Sequence, residues 1–239
     1  MLFKSVLYAL IFSAMTRAQT CHIAIDIGHN KTHHGCTSSR GVGEYLFNRR
    51  VALATYYALK AEGINSFFVN ASEKEISLLQ RAEHATAHGA THFISFHHDS
   101  VKSRYLKTWV FKGENHQYSD KFSGYSIFVS KKNAQFSKSL ALASLIGKQL
   151  REIGRTPSSH HVINIQGERK KFLDSKNGVY QYDNLVVLKK NVIPAVLIEC
   201  GIILNRTDEP FLWSKGGVEE IAFAVTKALM HTCEGTNNE

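Results

Sequence analysis

Three apolar runs of strand character constrain this chain most, because each one delivers a side chain able to do chemistry. His22–Ile27 leads into Gly28-His29, His92–Phe96 leads into His97-His98-Asp99, and Ala195–Glu199 ends on a carboxylate. Between them lie longer stretches with apolar residues at helical spacing. Strands that alternate with helices build a parallel or mixed sheet covered by helices on both faces. Residues just past the carboxyl ends of such strands share one crevice. Fragments far apart in sequence are thereby predicted to be neighbours in space.

The order along the chain is strand, loop, helix, strand, helix, strand, insertion, strand, helix, insertion, strand, strand, helix. The Gly-, His- and Ser-rich loop 28–43 is followed by a helix over 44–62, which Gly63 stops. Asn65–Val69 is a strand, and Ser72 with Glu75 is expected to form the capping box of a helix that runs to His88. Further strands are expected at Tyr125–Ser130 and Leu185–Leu188, and helices over 134–153 and 217–232. Segments 101–123 and 154–180 show no steady period and are read as insertions. The fold class is therefore α/β: a single domain with a mostly parallel or mixed twisted sheet of about six strands and helices on both faces.

Residues 1–18 read as a signal peptide, with Lys4 ahead of the apolar run Val6–Met15 and Thr16-Arg17-Ala18 as a small-x-small cleavage site. Export to a periplasm or to the extracellular space follows. No segment is long and apolar enough for a membrane span. Residues 19–239 are assigned to one domain, a size that a single α/β unit can fill, and a monomer is expected. The 29 basic and 20 acidic residues give +9, and losing Lys4 and Arg17 leaves 27 against 20, or +7. That charge suits an anionic partner such as an acidic cell-wall polymer, or a plainly solvated surface. No nucleic-acid module is present. Cys21, Cys36, Cys200 and Cys233 allow three pairings in an exported protein. Chain ends often come close together, which favours Cys21 with Cys233, and Cys200 in a buried strand is expected to stay reduced.

The candidate site is His29, Glu44, His97 and Glu199. Two imidazoles and a carboxylate hold one zinc ion and leave a coordination position open, and a second carboxylate can take a proton from water there. His98 competes with His97, but neighbouring strand residues face opposite sides of a sheet, so only one should point at the metal. Glu199 follows Val196-Leu197-Ile198, and burial there should raise its pKa. Asp26 is a candidate acceptor for a ligating imidazole; a simple strand-end role is the other reading.

These residues stand in ordered motifs: Asp26-Ile27-Gly28-His29, Gly43-Glu44-Tyr45-Leu46-Phe47-Asn48, Leu78-Leu79-Gln80-Arg81-Ala82, Ser95-Phe96-His97-His98-Asp99, Asn184-Leu185-Val186-Val187-Leu188, and Pro194-Ala195-Val196-Leu197-Ile198-Glu199-Cys200-Gly201 followed by Asn205. Together they resemble the zinc-dependent N-acetylmuramoyl-L-alanine amidases, in particular the amidase-3 type of bacterial cell-separation enzymes, over nearly all of residues 22–232. The resemblance implies one Zn2+ on His29, Glu44 and His97, with Glu199 as catalytic base and Asp26, His98 and Asn205 as supporting or substrate residues. It implies peptidoglycan as substrate and leaves a protein activator open as a partner. The chain departs from the family in three ways. The loop after His29 lacks the family's Gly-Gly and reads Asn30-Lys31-Thr32-His33-His34; His33 or His34 could bind substrate or be merely exposed. Only a short turn, Ser130 to Ala134, occupies the place of an inhibitory helix. Extra length sits instead in the two insertions, from which Glu114 or Glu168 could cap the zinc. Third, no separate wall-binding domain is expected, and the basic surface or a partner could do that job. A zinc carboxypeptidase or deacylase acting on another amide, and an inactive wall-binding module, are the competing readings.

Overall fold

The computed structural model describes residues 21–70, 75–162 and 170–235. The expected signal peptide, Ser72 and Glu168 lie outside these residues. The strands are β1 (His22–Ile27), β2 (Asn65–Phe68), β3 (His92–Asp99), β4 (Lys107–Phe111), β5 (Glu114–Tyr118), β6 (Ser126–Val129), β7 (Lys171–Asp174), β8 (Val179–Gln181) and β9 (Ala195–Ile202). The helices are α1 (Glu44–Ala61), α2 (Leu78–Ala87), α3 (Phe136–Glu152), α4 (Val186–Lys189), α5 (Asp208–Trp213) and α6 (Lys215–Gly235).

Seven strands form one mixed sheet in the order β2-β1-β3-β9-β6-β8-β7, one more strand than expected. β2, β1, β3 and β9 run parallel, β6 is antiparallel to β9, and β7 is antiparallel to β8. The central strands are buried on both faces, which is why they read as continuous apolar runs. Ile23, Ile25, Ile94, Phe96, Val196 and Ile198 pack under Phe47, Val51, Leu142, Ile146, Val225 and Leu229 of α1, α3 and α6. Ala24, Phe93, Ala195 and Leu197 face the opposite way, onto Ala85 of α2 and Val187 and Leu188 of α4. A Cys21–Cys233 disulfide joins the approach to β1 to the end of α6, while Cys36 and Cys200 are free thiols.

Three expectations are corrected. Leu185–Leu188 is not a strand: Val186–Lys189 forms a single helical turn that presses Val187 and Leu188 onto the sheet. A four-residue apolar run carries no period that could separate the two. The strand in this region is Val179–Gln181 instead. The capping box that opens α2 is Ser77 with Gln80, whose side chain and backbone exchange hydrogen bonds of 2.8 and 3.2 Å; Glu75 precedes the helix. Segment 101–123 is no irregular loop but carries the β4–β5 hairpin, which turns at Lys112 and Gly113, both at positive φ (52° and 85°). Positive φ at both central residues gives the hairpin-type turn. β6 ends at Val129 and α3 starts at Phe136, so only a turn joins them.

Candidate metal centre

β1, β3 and β9 end side by side, and the first residue of α1 lies against them. Gly28 amide donates to Phe96 carbonyl at 2.9 Å, which prolongs β1–β3 pairing by one residue. The chain then turns at His29, whose φ is +66°. This region is rarely adopted by residues other than glycine and costs about 1 kcal/mol or more unless the surroundings hold it. Arg81 of α2 supplies the hold. Its guanidinium donates to the carbonyls of Ile27 (2.8 Å) and His29 (3.0 Å) and to Asp26 Oδ1 (2.9 Å). Asp26 Oδ2 accepts from Ser95 hydroxyl at 2.6 Å. Asp26 therefore serves Arg81 and Ser95, not an imidazole, and fixes the turn that carries His29.

The ring of His29 approaches Glu44, with Nε2 3.0 Å from Oε2, and His97 Nδ1 lies 3.1 Å from Oε1. The three donor atoms converge as a set able to hold a metal ion. Space for the convergence comes from missing side chains: a Cβ on Gly28 would stand 2.5 Å from the His97 ring, and one on Gly35 (φ +75°) would meet Glu44 and His29. Glu44 is buried yet charged. Burial works to raise its pKa, and hydrogen bonds from His29 and His97 overcome that and hold it well below the usual carboxylate range. Three further donors fix it: the amides of Cys36 and His98, each at 3.2 Å, and the Asn48 side chain at 3.1 Å.

The His97/His98 choice is decided by the alternation of β3. His98 faces α1, packs on Phe47 and places Nδ1 2.8 Å from Asn48 Oδ1. It is buried, and burial lowers its pKa to about 3, so the ring is neutral. It supports Glu44 through Asn48 and its own amide and does not reach the crevice.

Glu199 sits directly beside His97 in the β3–β9 register, so both side chains leave the same face of the sheet. Its Oε2 is buried and has no hydrogen-bond partner among the described residues. Burial, then the charges of Asp99 and Glu44, push its pKa well above the carboxylate range. Asn205 is elsewhere in role: its carbonyl oxygen caps α5 by accepting from the amides of Thr207 (2.8 Å) and Asp208 (2.9 Å), and its amide group donates to Phe122 carbonyl (2.9 Å). His33 and His34 are exposed. Glu114 is 81% exposed on the hairpin, near His116, and does not join the cluster.

Four contributors escaped sequence reasoning. Arg81 stood in a quoted motif without a role, and Asn48, four residues after Glu44, lies one helical turn along the same face. Cys36 approaches Glu44 from the loop, and burial raises its thiol pKa far above the usual range, so it stays protonated. The fourth contributor is a set of side chains, Asp99 with His160 and His161. His161 Nε2 lies 2.7 Å and His160 Nε2 3.5 Å from Asp99 Oδ2. Burial lowers the pKa of His160 to about 4 against the pull of Asp99. The adjacent histidines were a visible signal, but nothing in the sequence said where they land.

Fold and site together define a single α/β domain with a cluster of two imidazoles and a carboxylate at the sheet's carboxyl edge, able to hold a metal ion. The chain belongs to the N-acetylmuramoyl-L-alanine amidase family, whose sequence profile matches residues 23–231. It is 26% identical over 256 residues to the probable N-acetylmuramoyl-L-alanine amidase AmiB of Haemophilus influenzae, an alignment covering 98% of this chain and 57% of that protein. The chain thus spans little more than half the length of that relative. Among solved structures it is similar to the N-acetylmuramyl-L-alanine amidase Ami1 of Mycobacterium smegmatis, with a TM-score of 0.71, 19% identity and 90% and 97% of the two chains covered. It is similar too to the CwlD amidase of Clostridioides difficile, solved in complex with the GerS lipoprotein, with a TM-score of 0.67, 20% identity and 90% and 100% covered.

Proposed function

We propose that this protein is a zinc-dependent hydrolase that cuts the amide between the lactyl group of N-acetylmuramic acid and L-alanine in peptidoglycan. The observation that carries the reading is the pairing of the His29–Glu44–His97 cluster with a buried, unpartnered Glu199 oxygen one strand away, in a chain of the amidase family.

The residues fit a zinc ion. Two imidazoles and one carboxylate are a common catalytic donor set. Zinc bonds of 2.0–2.1 Å imply tetrahedral ligand separations of about 3.3 Å, close to the 3.0 and 3.1 Å between Glu44 and the two histidines. When bound, the ion would supply Lewis-acid polarisation of the scissile carbonyl and acidify water beside it. Glu199 Oε2 takes the proton from the attacking water as the new C–O bond forms. It then hands that proton to the alanine nitrogen as the C–N bond breaks, leaving a lactyl carboxylate and a free stem peptide. A raised pKa suits a group that must both accept and return a proton near neutral pH. Arg81, Asp26, Asn48 and His98 hold His29 and Glu44 in place before substrate arrives.

Export to a periplasm or beyond is part of the proposal. The Cys21–Cys233 disulfide supports an oxidising compartment, and no described helix is long and apolar enough to cross a membrane. A protein activator is proposed by analogy with the lipoprotein complex of CwlD.

The test is mass spectrometry of fragments released from purified peptidoglycan by zinc-loaded protein, chelated protein and the Glu199→Gln variant. Release of stem peptides by the first alone is expected. Cleavage at another bond would keep the site and refute the substrate.

A further inference from the structure

A second set of ligand-type side chains lies outside the proposed zinc cluster. We infer that Asp99, His160 and His161 form a separate binding site for a divalent transition-metal cation of the zinc class.

Three observations carry this. The first is donor geometry. His161 Nε2 and His160 Nε2 converge on one oxygen, Asp99 Oδ2, at 2.7 and 3.5 Å. These separations bracket the tetrahedral edge of about 3.3 Å that 2.0–2.1 Å zinc bonds require. The His29–Glu44–His97 cluster is the other convergence of this kind among the described residues.

The second is how the donors are held. His160 Nδ1 is 3.2 Å from Ser158 Oγ, so its other nitrogen is engaged and Nε2 is turned to Asp99. Asp99 Oδ1 accepts from the Ser100 amide at 2.8 Å, which leaves Oδ2 for the imidazoles. Engaging a ligand's far atom, as seen here for His160 and Asp99, is how proteins fix ligand orientation around a metal.

The third is enclosure. The three side chains are 12–18% exposed. Phe122 packs on His160, and Phe128 and Tyr180 pack on His161, with ring centroids 5.6, 4.9 and 5.5 Å apart. The two imidazoles themselves stand 3.8 Å apart, and a shared cation on one side gives both a common partner. Two imidazoles and a carboxylate select zinc-like ions over magnesium or calcium, which take oxygen donors. Such an ion would tie the end of β3 to segment 158–161, two residues beyond His97.

The site shares no residue with the one proposed for catalysis, so the two can fail separately. Purified protein is stripped with chelator, reloaded with excess Zn2+ and freed of unbound metal, and zinc per chain is counted by plasma mass spectrometry. Two ions are expected in the parent, one in His160→Ala/His161→Ala, and one in His97→Ala. Asp99→Asn, which keeps the side chain's shape, guards against misfolding of the double variant and is also expected to hold one. With Co2+ in place of zinc, the visible absorption should fall in the same variants. A parent that holds one ion, lost in His97→Ala and kept in the other variants, would overturn the inference. So would two ions that survive both His160→Ala/His161→Ala and Asp99→Asn. One ion kept in His97→Ala and lost from the histidine pair would uphold this site and remove the other.

Discussion

Arg81 fixes the backbone of His29. Its guanidinium, paired with buried Asp26, donates to the carbonyl of a residue that sits at positive φ. The α2 helix thereby determines where an imidazole on the far side of the β1 turn points. Arg81 and Asp26 side chains are 5% and 1% exposed, so removing one leaves the other charge buried and unpaired. Breaking such a pair costs about 3–5 kcal/mol. Arg81→Ala should lower the thermal midpoint by about 10 °C in a domain of this size and weaken zinc binding. Thermal unfolding with and without metal separates the two effects: the variant should lose most of the rise in midpoint that zinc confers on the parent.

Gly28 is required for what it lacks. An added Cβ would stand 2.5–2.6 Å from three atoms of the His97 ring, closer than a Cβ can come, so the ring must move. Gly28→Ala should turn His97 away from Glu44 while β1 and β3 stay paired. Zinc affinity should fall about 10- to 100-fold, as when groups that orient a ligand are removed. Competition against a chromophoric chelator measures this, and an unchanged affinity would show that His97 is not a ligand in this orientation.

As the proposed base, Glu199 would trade stability for activity. Burial and the nearby charges of Asp99 and Glu44 raise its pKa in the folded chain. A carboxyl whose folded pKa exceeds its unfolded one favours folding in its protonated form, so its contribution is lost as pH climbs from the unfolded value to the folded one. Glu199→Gln, neutral at every pH, should therefore melt higher than the parent at neutral pH and match it in acid. The same substitution should cut amide cleavage about 100- to 10,000-fold with zinc content unchanged. Because the base works deprotonated, kcat/KM of the parent should fall on the acid side, with a midpoint above the ordinary carboxylate range. A midpoint near 4 would count against Glu199 as the base.

The sequence made the centre of this fold legible, and physical reasons separate what was read from what was missed. β1, β3 and β9 were visible because strands buried on both faces must be apolar throughout. His29, His97 and Glu199 stood out because each follows or closes an apolar run, and Glu44 because it opens the first helix. The β4–β5 hairpin was missed because its inner face, Trp109 and Phe111 against His116 and Tyr118, is only half-buried and its turn is Lys-Gly, not a common turn pair. α4 was misread because four residues hold no period. The role of Asp26 stayed between two readings because its partner Arg81 lies 55 residues away, and Asp99 and His161 are 62 apart. Side-chain pairing across such separations is set by tertiary packing, and local pattern carries no trace of it.

The Cys21–Cys233 bridge closes nearly the whole domain into one loop, its ends separated by 212 positions in sequence. Cross-linking ends so far apart removes much entropy from the unfolded chain, about 5 kcal/mol by the loop-length relation, although measured values more often fall at about 2–5 kcal/mol. It also holds the start of β1 against α6, the two ends that would otherwise fray first. Cys21→Ser/Cys233→Ser should lower the thermal midpoint by about 10 °C. Reductant should lower the parent to the same value and leave the variant unmoved, since Cys36 and Cys200 are already free thiols. Zinc content measured well below either midpoint should be unchanged, because the bridge lies at the amino end of β1 and the candidate metal centre lies at its carboxyl end. Loss of metal together with the bridge would mean that closure of the chain ends shapes the crevice as well as stabilising the fold.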